Sequence, residues 1–251
     1  MEIIGLNGYS QVGKDTAAFH LTTGRGYTRF AFGDEIRDQL VELNPFMDGV
    51  TSVAALAESY GSLEAAAGDR IHGAEIQRLR TAFNDLHAET YGIPGTDAQL
   101  IAWDPLLGGT RRLAETAARF DNDWDKIKKD PMVGLESRRL MQRYGTEAIR
   151  EHVALDAWVK LVAQNIEESG VTGPIVITDV RENHEAEWIL SHGGRIIEVT
   201  RPGVGPVNGH KSENGIDRKY IWATVVNDST RTALALKIDA LLGLGQSAAA
   251  A

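Results

Sequence analysis

Short apolar runs, each followed by an amphipathic stretch, mark both ends of the chain, while its middle reads as one helix after another. The first run, Glu2 to Leu6, predicts a buried strand, and Asp15 to Leu21 a helix. Tyr27 to Phe32 predicts a second strand. Gly33-Asp34 then opens a helix through Leu43, with Ile36, Leu40 and Leu43 at helical spacing, and Asn44-Pro45 ends it. From there to about Glu136 the pattern is helical and polar, with few strand signals. Ala74 to Tyr91 places Ile76, Leu79, Phe83 and Leu86 on one face, and Gly92-Ile-Pro-Gly stops it. Arg111 to Phe120 is amphipathic, and residues 121–125 read as a turn opening a short helix. Leu135 to Tyr144 and Thr146 to Val153 predict two helices broken at Gly145, and Asp156 to Glu168 a longer one.

Ile175 to Thr178 is a continuous apolar run of the kind found in strands buried on both faces. A helix follows over Asn183 to Ser191, then strands over Arg195 to Thr200 and Ala223 to Val226, and a closing helix over Thr230 to Leu242. This alternation predicts an α/β fold with a parallel five-stranded sheet flanked by helices. A large helical insertion, about 45–135, falls between its second and third strands. One domain over 1–242 is expected, with residues 243–251 as a disordered tail. The Gly/Pro-rich segment of about 201–219 carries little regular pattern, and a long irregular segment in a compact domain is usually functional, often a lid.

Composition narrows the partners. A net charge of −9, with both signs interspersed, disfavours duplex nucleic acid or an anionic membrane as the main partner. The chain has 0 cysteines, which excludes disulfides and thiolate chemistry. No apolar stretch approaches a membrane span, and a cytoplasmic protein is expected. The pattern leaves a homodimer open.

The chemistry begins at Gly8-x-x-x-x-Gly13-Lys14-Asp15-Thr16, placed between a strand and a helix. That is the context of a phosphate-binding P-loop: the glycines let backbone N–H groups converge on an anion at a helix N-terminus. Lys14 would set a point charge on β- and γ-phosphates. Asp15 stands where the motif usually has Ser or Thr. Its carboxylate is a hard ligand able to hold Mg²⁺, and it equally suits the helix dipole; Thr16 is the nearest hydroxyl. Asp179, ending an apolar strand, is a second metal candidate, or a helix cap. Arg181, two residues on, belongs to the carboxyl edge of the sheet, where open α/β folds bind ligands. Arg143-Tyr-Gly-Thr-Glu147-x-x-Arg150 combines a glycine break, a helix start and an arginine able to fork onto phosphate. On its own this stretch reads rather as an i,i+3 ion pair of Glu147 with Arg150 on a solvated face.

Several blocks together resemble the bacteriophage deoxynucleoside monophosphate kinases. They are Gly8 to Thr16, Phe30 to Asp34, Leu140 to Arg150, Thr178-Asp-Val-Arg181-x-x-x-Glu185 and His210-Lys-Ser-Glu213. The resemblance runs in the same order from residue 1 to about 240 and is weak over roughly 45–110. After the Asp-x-Arg block the family usually carries an aromatic and later Asn-Glu. Here Glu182 and His184 stand at the matching places, and Glu185 is kept. The resemblance implies ATP-dependent phosphorylation of a deoxynucleoside 5′-monophosphate to the diphosphate, with Mg²⁺. It implies ATP contacts from Gly8, Gln11, Val12, Gly13, Lys14, Asp15 and Thr16, and metal contacts from Asp15 and Asp179. Catalytic roles go to Lys14, Arg150, Arg181 and Arg201. Substrate contacts are expected of Asp34, Arg37, Arg143, Glu147, Arg150, Trp158, Asp179 and Arg181. Two other readings stay open: a P-loop kinase of the dephospho-coenzyme A or phosphomevalonate type, and a P-loop ATPase or nucleotide-sensing module.

Overall fold

The structure is a computed structural model describing residues 1–206 and 215–244. These residues gather into two compact units, one made of Met1–Asp34 with Trp158–Ala251 and the other of Glu35–Ala157. The second unit contains the stretch of about 45–135 expected as a helical insertion.

The chain enters through β1 (Ile3–Asn7), α1 (Lys14–Arg25), β2 (Thr28–Phe30) and the start of α2 (Phe32–Leu43). The second strand is shorter than Tyr27 to Phe32, because the backbone N–H groups of Phe32 and Gly33 already serve the first turn of α2. The second unit then holds β3 (Thr51–Ser52), α3 (Val53–Tyr60), α4 (Leu63–Ala66), α5 (Gly73–Tyr91), α6 (Asp97–Trp103) and β4 (Leu106–Leu107). It continues through α7 (Leu113–Arg119), α8 (Trp124–Lys129), α9 (Gly134–Arg143) and a π-helical turn over Tyr144–Arg150. Helix α10 (Ala157–Glu168) returns the chain to the first unit, which closes with β5 (Ile175–Val180), α11 (Asn183–Ser191), β6 (Arg195–Thr200), β7 (Ala223–Val226) and α12 (Arg231–Leu242).

The five strands of the first unit pair in the order β2-β5-β1-β6-β7, every pair parallel. The central strand β1 is buried throughout, which explains its unbroken apolar reading. On one face Ile4, Leu6, Val176, Ile197 and Val199 pack against Ala17, Ala18 and Leu21 of α1 and Leu234 and Ile238 of α12. On the other, Gly5 admits α11: a Cβ there would lie 2.8 Å from the Ile189 Cδ1. Asp239 ties α12 to α1, accepting Arg25 through both oxygens and His20 Nε2 at 2.8 Å. Gly243, left-handed at φ 68°, closes α12; residues 245–251 lie outside those described.

In the helical unit, Phe83, His87, Trp103 and Tyr144 form a buried aromatic cluster, extended by Tyr91. The Tyr144 and Tyr91 hydroxyls both donate to Gln39 Oε1, at 2.7 and 3.0 Å. A short antiparallel ladder pairs β3 with the sequence-distant β4, in a stretch where few strand signals were read. Gly145 does not break the chain into two helices. α9 runs directly into the π turn, with Glu151 N–H donating to the Thr146 carbonyl. Glycine inside a helix costs about 1 kcal/mol, and the burial of Tyr144, Thr146, Ala148 and Ile149 outweighs that.

Candidate active site

The sheet's carboxyl edge is where the glycine motif becomes a shape. After Asn7 the chain turns through Gly8, at φ 133°, Gln11, at φ 67°, and Gly13, at φ 110°, before α1 begins. Glycine is required at two of these. A Cβ on Gly8 would come within 2.2 Å of the Val199 carbonyl oxygen, and one on Gly13 within 2.5 Å of Asn227 Nδ2. Gln11 holds a left-handed conformation without that freedom, a cost accepted at binding loops. No side chain caps the N-terminus of α1. Its first N–H groups and the positive end of its dipole are thus available to an anion.

Lys14 is buried and lies across the loop, its Nζ donating to the carbonyls of Gly8 at 2.5 Å and Tyr9 at 2.7 Å. Around the loop, a cavity of about 140 Å³ is lined by Asn7, Gly8, Tyr9 and Val12 from the first strand and turn. Arg181, Glu198 and Arg201 bring one acid and two bases to it, with Val204, Gly215 and Ile216 beside them. The structure thus unites the glycine loop with two of the three arginines assigned to catalysis. The ends of the 201–219 segment reach this cavity; its centre, 207–214, including His210, Lys211, Ser212 and Glu213, lies outside the described residues.

Asp179 sits within β5 near its end, and it caps a helix, though not the one that follows it in sequence. Its Oδ1 accepts the N–H of Phe32 at 2.9 Å and its Oδ2 that of Gly33 at 2.7 Å, so the carboxylate closes the N-terminus of α2. Helix α11 is capped instead by a box of Glu182 and Glu185. The buried Glu185 Oε2 also accepts the Arg181 N–H at 2.8 Å, fixing the backbone that carries that arginine. Asp34 forks with Arg29, whose Nη1 lies 2.5 Å from Oδ2. Burial lowers the Arg29 pKa, but the bond to Asp34 and the fields of Asp34, Asp179 and Asp15 raise it on balance. Arg29, which the sequence did not single out, thus feels the fields of Asp15, Asp34 and Asp179 together. Asp15 itself is exposed on the first turn of α1, next to Thr16. Trp158, expected at the substrate, is fully buried at the start of α10.

The remaining candidates belong to the helical unit. Arg143, expected at the substrate, donates its guanidinium to the Ala102 carbonyl at 2.7 Å and to that of Trp103, at the carboxyl end of α6. Arg150 ends the π turn instead of opening a helix, half-buried, with Nη1 3.5 Å from the Gly145 carbonyl. Glu147 is half-buried on the same turn. Arg37 lies over the Trp124 ring at 6.0 Å.

A parallel sheet carrying a glycine loop, an embedded lysine and strand-end arginines defines the P-loop nucleoside-triphosphate-binding class of α/β folds. Comparison with known proteins narrows it. Residues 116–238, just under half of the chain, match the family described as deoxynucleotide monophosphate kinase. The chain is 32% identical over 107 residues to the deoxynucleotide monophosphate kinase of Escherichia phage RB69, covering 42% of this chain and 44% of that protein. It is 31% identical over 103 residues to that of Enterobacteria phage T4, covering 40% and 43%. The chain thus spans less than half the length of these curated relatives in either alignment. Over the matched span, which holds the Gly-Thr-Glu and Asp-x-Arg blocks, the resemblance read from the sequence is borne out.

Proposed function

We propose that this chain transfers the γ-phosphoryl group of ATP to a deoxynucleoside 5′-monophosphate; its relatives are named deoxynucleotide monophosphate kinases. The observation that carries the reading is Arg181: it lies in the family-matched span and lines the same cavity as Gly8 and Tyr9 of the glycine loop. An oxygen of the acceptor phosphate forms a bond to the γ-phosphorus while the bond from that phosphorus to the β–γ bridging oxygen breaks. The acceptor is already anionic, so the protein supplies position and charge rather than a strong base. Gly8 to Thr16 hold the donor polyphosphate. Lys14 exchanges its loop carbonyls for phosphate oxygens, and Arg181 and Arg201 offset the charge that spreads over the transferred group. Arg150, Glu147 and Arg37 are proposed to bind the acceptor, with Arg150 as the phosphate fork, and Trp158 to stay a wall of the site.

Mg²⁺ fits the acids present. Among the described residues no three His, Asp or Glu side chains converge on one point. Magnesium at polyphosphate sites, however, takes only one or two carboxylates, completing its shell with phosphate and water oxygens. Asp15 and Asp179, both acting on Arg29, are the carboxylates that would hold it. The bound ion would neutralise the donor's β- and γ-oxygens. No helix of the described residues is long and apolar enough to cross a membrane, and ATP as donor fits a cytoplasmic setting.

An acceptor screen tests the proposal: ATP against each deoxy- and ribonucleoside monophosphate, following ADP formation. ADP should appear only with a deoxynucleoside monophosphate. Arg181→Lys and Arg150→Lys, which keep charge but lose the fork, should lower kcat/KM for the acceptor about 30- to 1,000-fold with the KM for ATP little changed. ATP hydrolysis equally fast without any monophosphate, and indifferent to both variants, would reject the kinase in favour of an ATPase.

A further inference from the structure

The peptide that joins Val12 to Gly13 stands at the entrance to α1, and its orientation is held from outside the loop. Asn227 Nδ2 donates to the Val12 carbonyl at 2.8 Å. A carbonyl oxygen can only accept, so the side-chain atom facing it has to be the amide NH₂. Asn227 is itself anchored: its backbone N–H donates to the Thr200 carbonyl at 2.8 Å, pinning the residue that follows β7 to the end of β6. Its side chain also fills the space beside Gly13, with Nδ2 at 2.5 Å and Cγ at 3.4 Å from where a Cβ would stand.

We infer that Asn227 is a positioning residue for the donor polyphosphate, acting through the Val12–Gly13 peptide; the inference rests on the glycine loop binding that donor. In a trans peptide the C=O and the following N–H point in opposite directions. While Asn227 holds the Val12 oxygen, the Gly13 N–H is turned the other way, as a donor for an anion at the helix N-terminus. Glycine at φ 110° imposes little resistance to rotation, so nothing intrinsic to residue 13 prevents the plane from turning over. A turned-over peptide would set a carbonyl oxygen against the phosphates. Asn227 therefore supplies the orientation that the flexibility of Gly13 leaves undetermined. It touches neither reactant, and its effect belongs to donor binding.

The test is calorimetric binding of Mg²⁺–ATP and of inorganic tripolyphosphate to the full chain, with the Gly13 amide followed by ¹H–¹⁵N correlation spectroscopy. In Asn227→Ala, which adds no charge, affinity for both ligands should fall about tenfold or more, the effect of one lost hydrogen bond. The Gly13 amide should already be displaced without ligand, and the acceptor's KM should stay within about twofold. Asn227→Asp has nearly the same shape but sets an oxygen against the Val12 oxygen, and should bind more weakly still. It keeps the test decisive if the alanine variant does not fold. Wild-type affinities in a folded variant, with an unmoved Gly13 amide, overturn the inference alone. A wild-type protein that binds neither ligand overturns the donor-site reading, and this inference with it.

Discussion

Removing the ammonium of Lys14 probes the loop most directly. In the structure that group is buried and bonded to two loop carbonyls, so Lys14→Ala acts twice. It leaves the Gly8 and Tyr9 oxygens without their donor, and hydrogen bonds to a charged group contribute about 1.5–3 kcal/mol each. Both carbonyls lie on a turn that water can reach once the side chain is gone, which brings the expected loss of stability down to about 1–2 kcal/mol in total. The second effect is on phosphoryl transfer. Losing one preorganised stabiliser of developing charge costs about 2.7–4 kcal/mol, a fall in kcat of roughly 10²- to 10³-fold. The two effects separate experimentally: thermal unfolding reads the first, and a coupled ADP assay at saturating ATP and acceptor reads the second. A folded Lys14→Ala protein with near-normal turnover would refute the P-loop assignment, because nothing else in the loop carries a positive charge.

Asp15→Ala should raise the Mg²⁺ concentration needed for half-maximal rate, and Asp15→Ser should largely restore it; an unchanged titration would leave Asp15 only a helix-dipole role. His87 should make stability pH-dependent. Burial pushes its pKa down from 6.5 to about 4, so the unfolded chain binds the extra proton between those values. The neutral imidazole's contribution is complete above pH 6.5 and is lost as pH falls towards 4, about 3 kcal/mol in all. Urea unfolding over that window should show the slope in the wild type and a flatter one in His87→Leu; equal slopes would place the acid sensitivity elsewhere.

How much could be read from sequence depended on how local the cause was. Helix α11 and strands β6 and β7 fall where their patterns put them, since the burial of Ile196, Ile197 and Val199 and the periodicity of α11 are written in neighbouring residues. The glycine loop was legible for the same reason, with strand, turn and helix start contiguous. What escaped was set by residues far apart in sequence. β2 ends early because Asp179, 147 positions away from Phe32, takes the first N–H of the next helix. The bond of Arg143, expected at the substrate, to the Ala102 carbonyl spans 41 residues and has no local signal. Gly145 looked like a break because its neighbours' burial in a π turn has no periodic signature. Asn227 sits in an Asn-Asp-Ser-Thr stretch that reads as an ordinary helix entry, and its bond to Val12 spans 215 residues.

These long-range contacts divide the loop's carbonyls into two kinds. The Val12 oxygen is held by Asn227, and the Val180 oxygen beside the loop by the buried Asn7 at 2.8 Å; both donors are neutral amides fixed to strand ends. The Gly8 and Tyr9 oxygens are held by Lys14, whose long side chain can leave them. A polyphosphate would compete for Lys14, being the stronger acceptor, but has nothing to offer an asparagine that no phosphate need touch. If the loop binds the donor as proposed, the amide clamps would persist through binding while the lysine would move from loop to ligand. This assigns different symptoms to the two kinds of residue. Loss of Asn227 should weaken the donor's ground-state binding, and loss of Lys14 should appear mainly in kcat, because the charge it meets is largest where the β–γ bond is breaking.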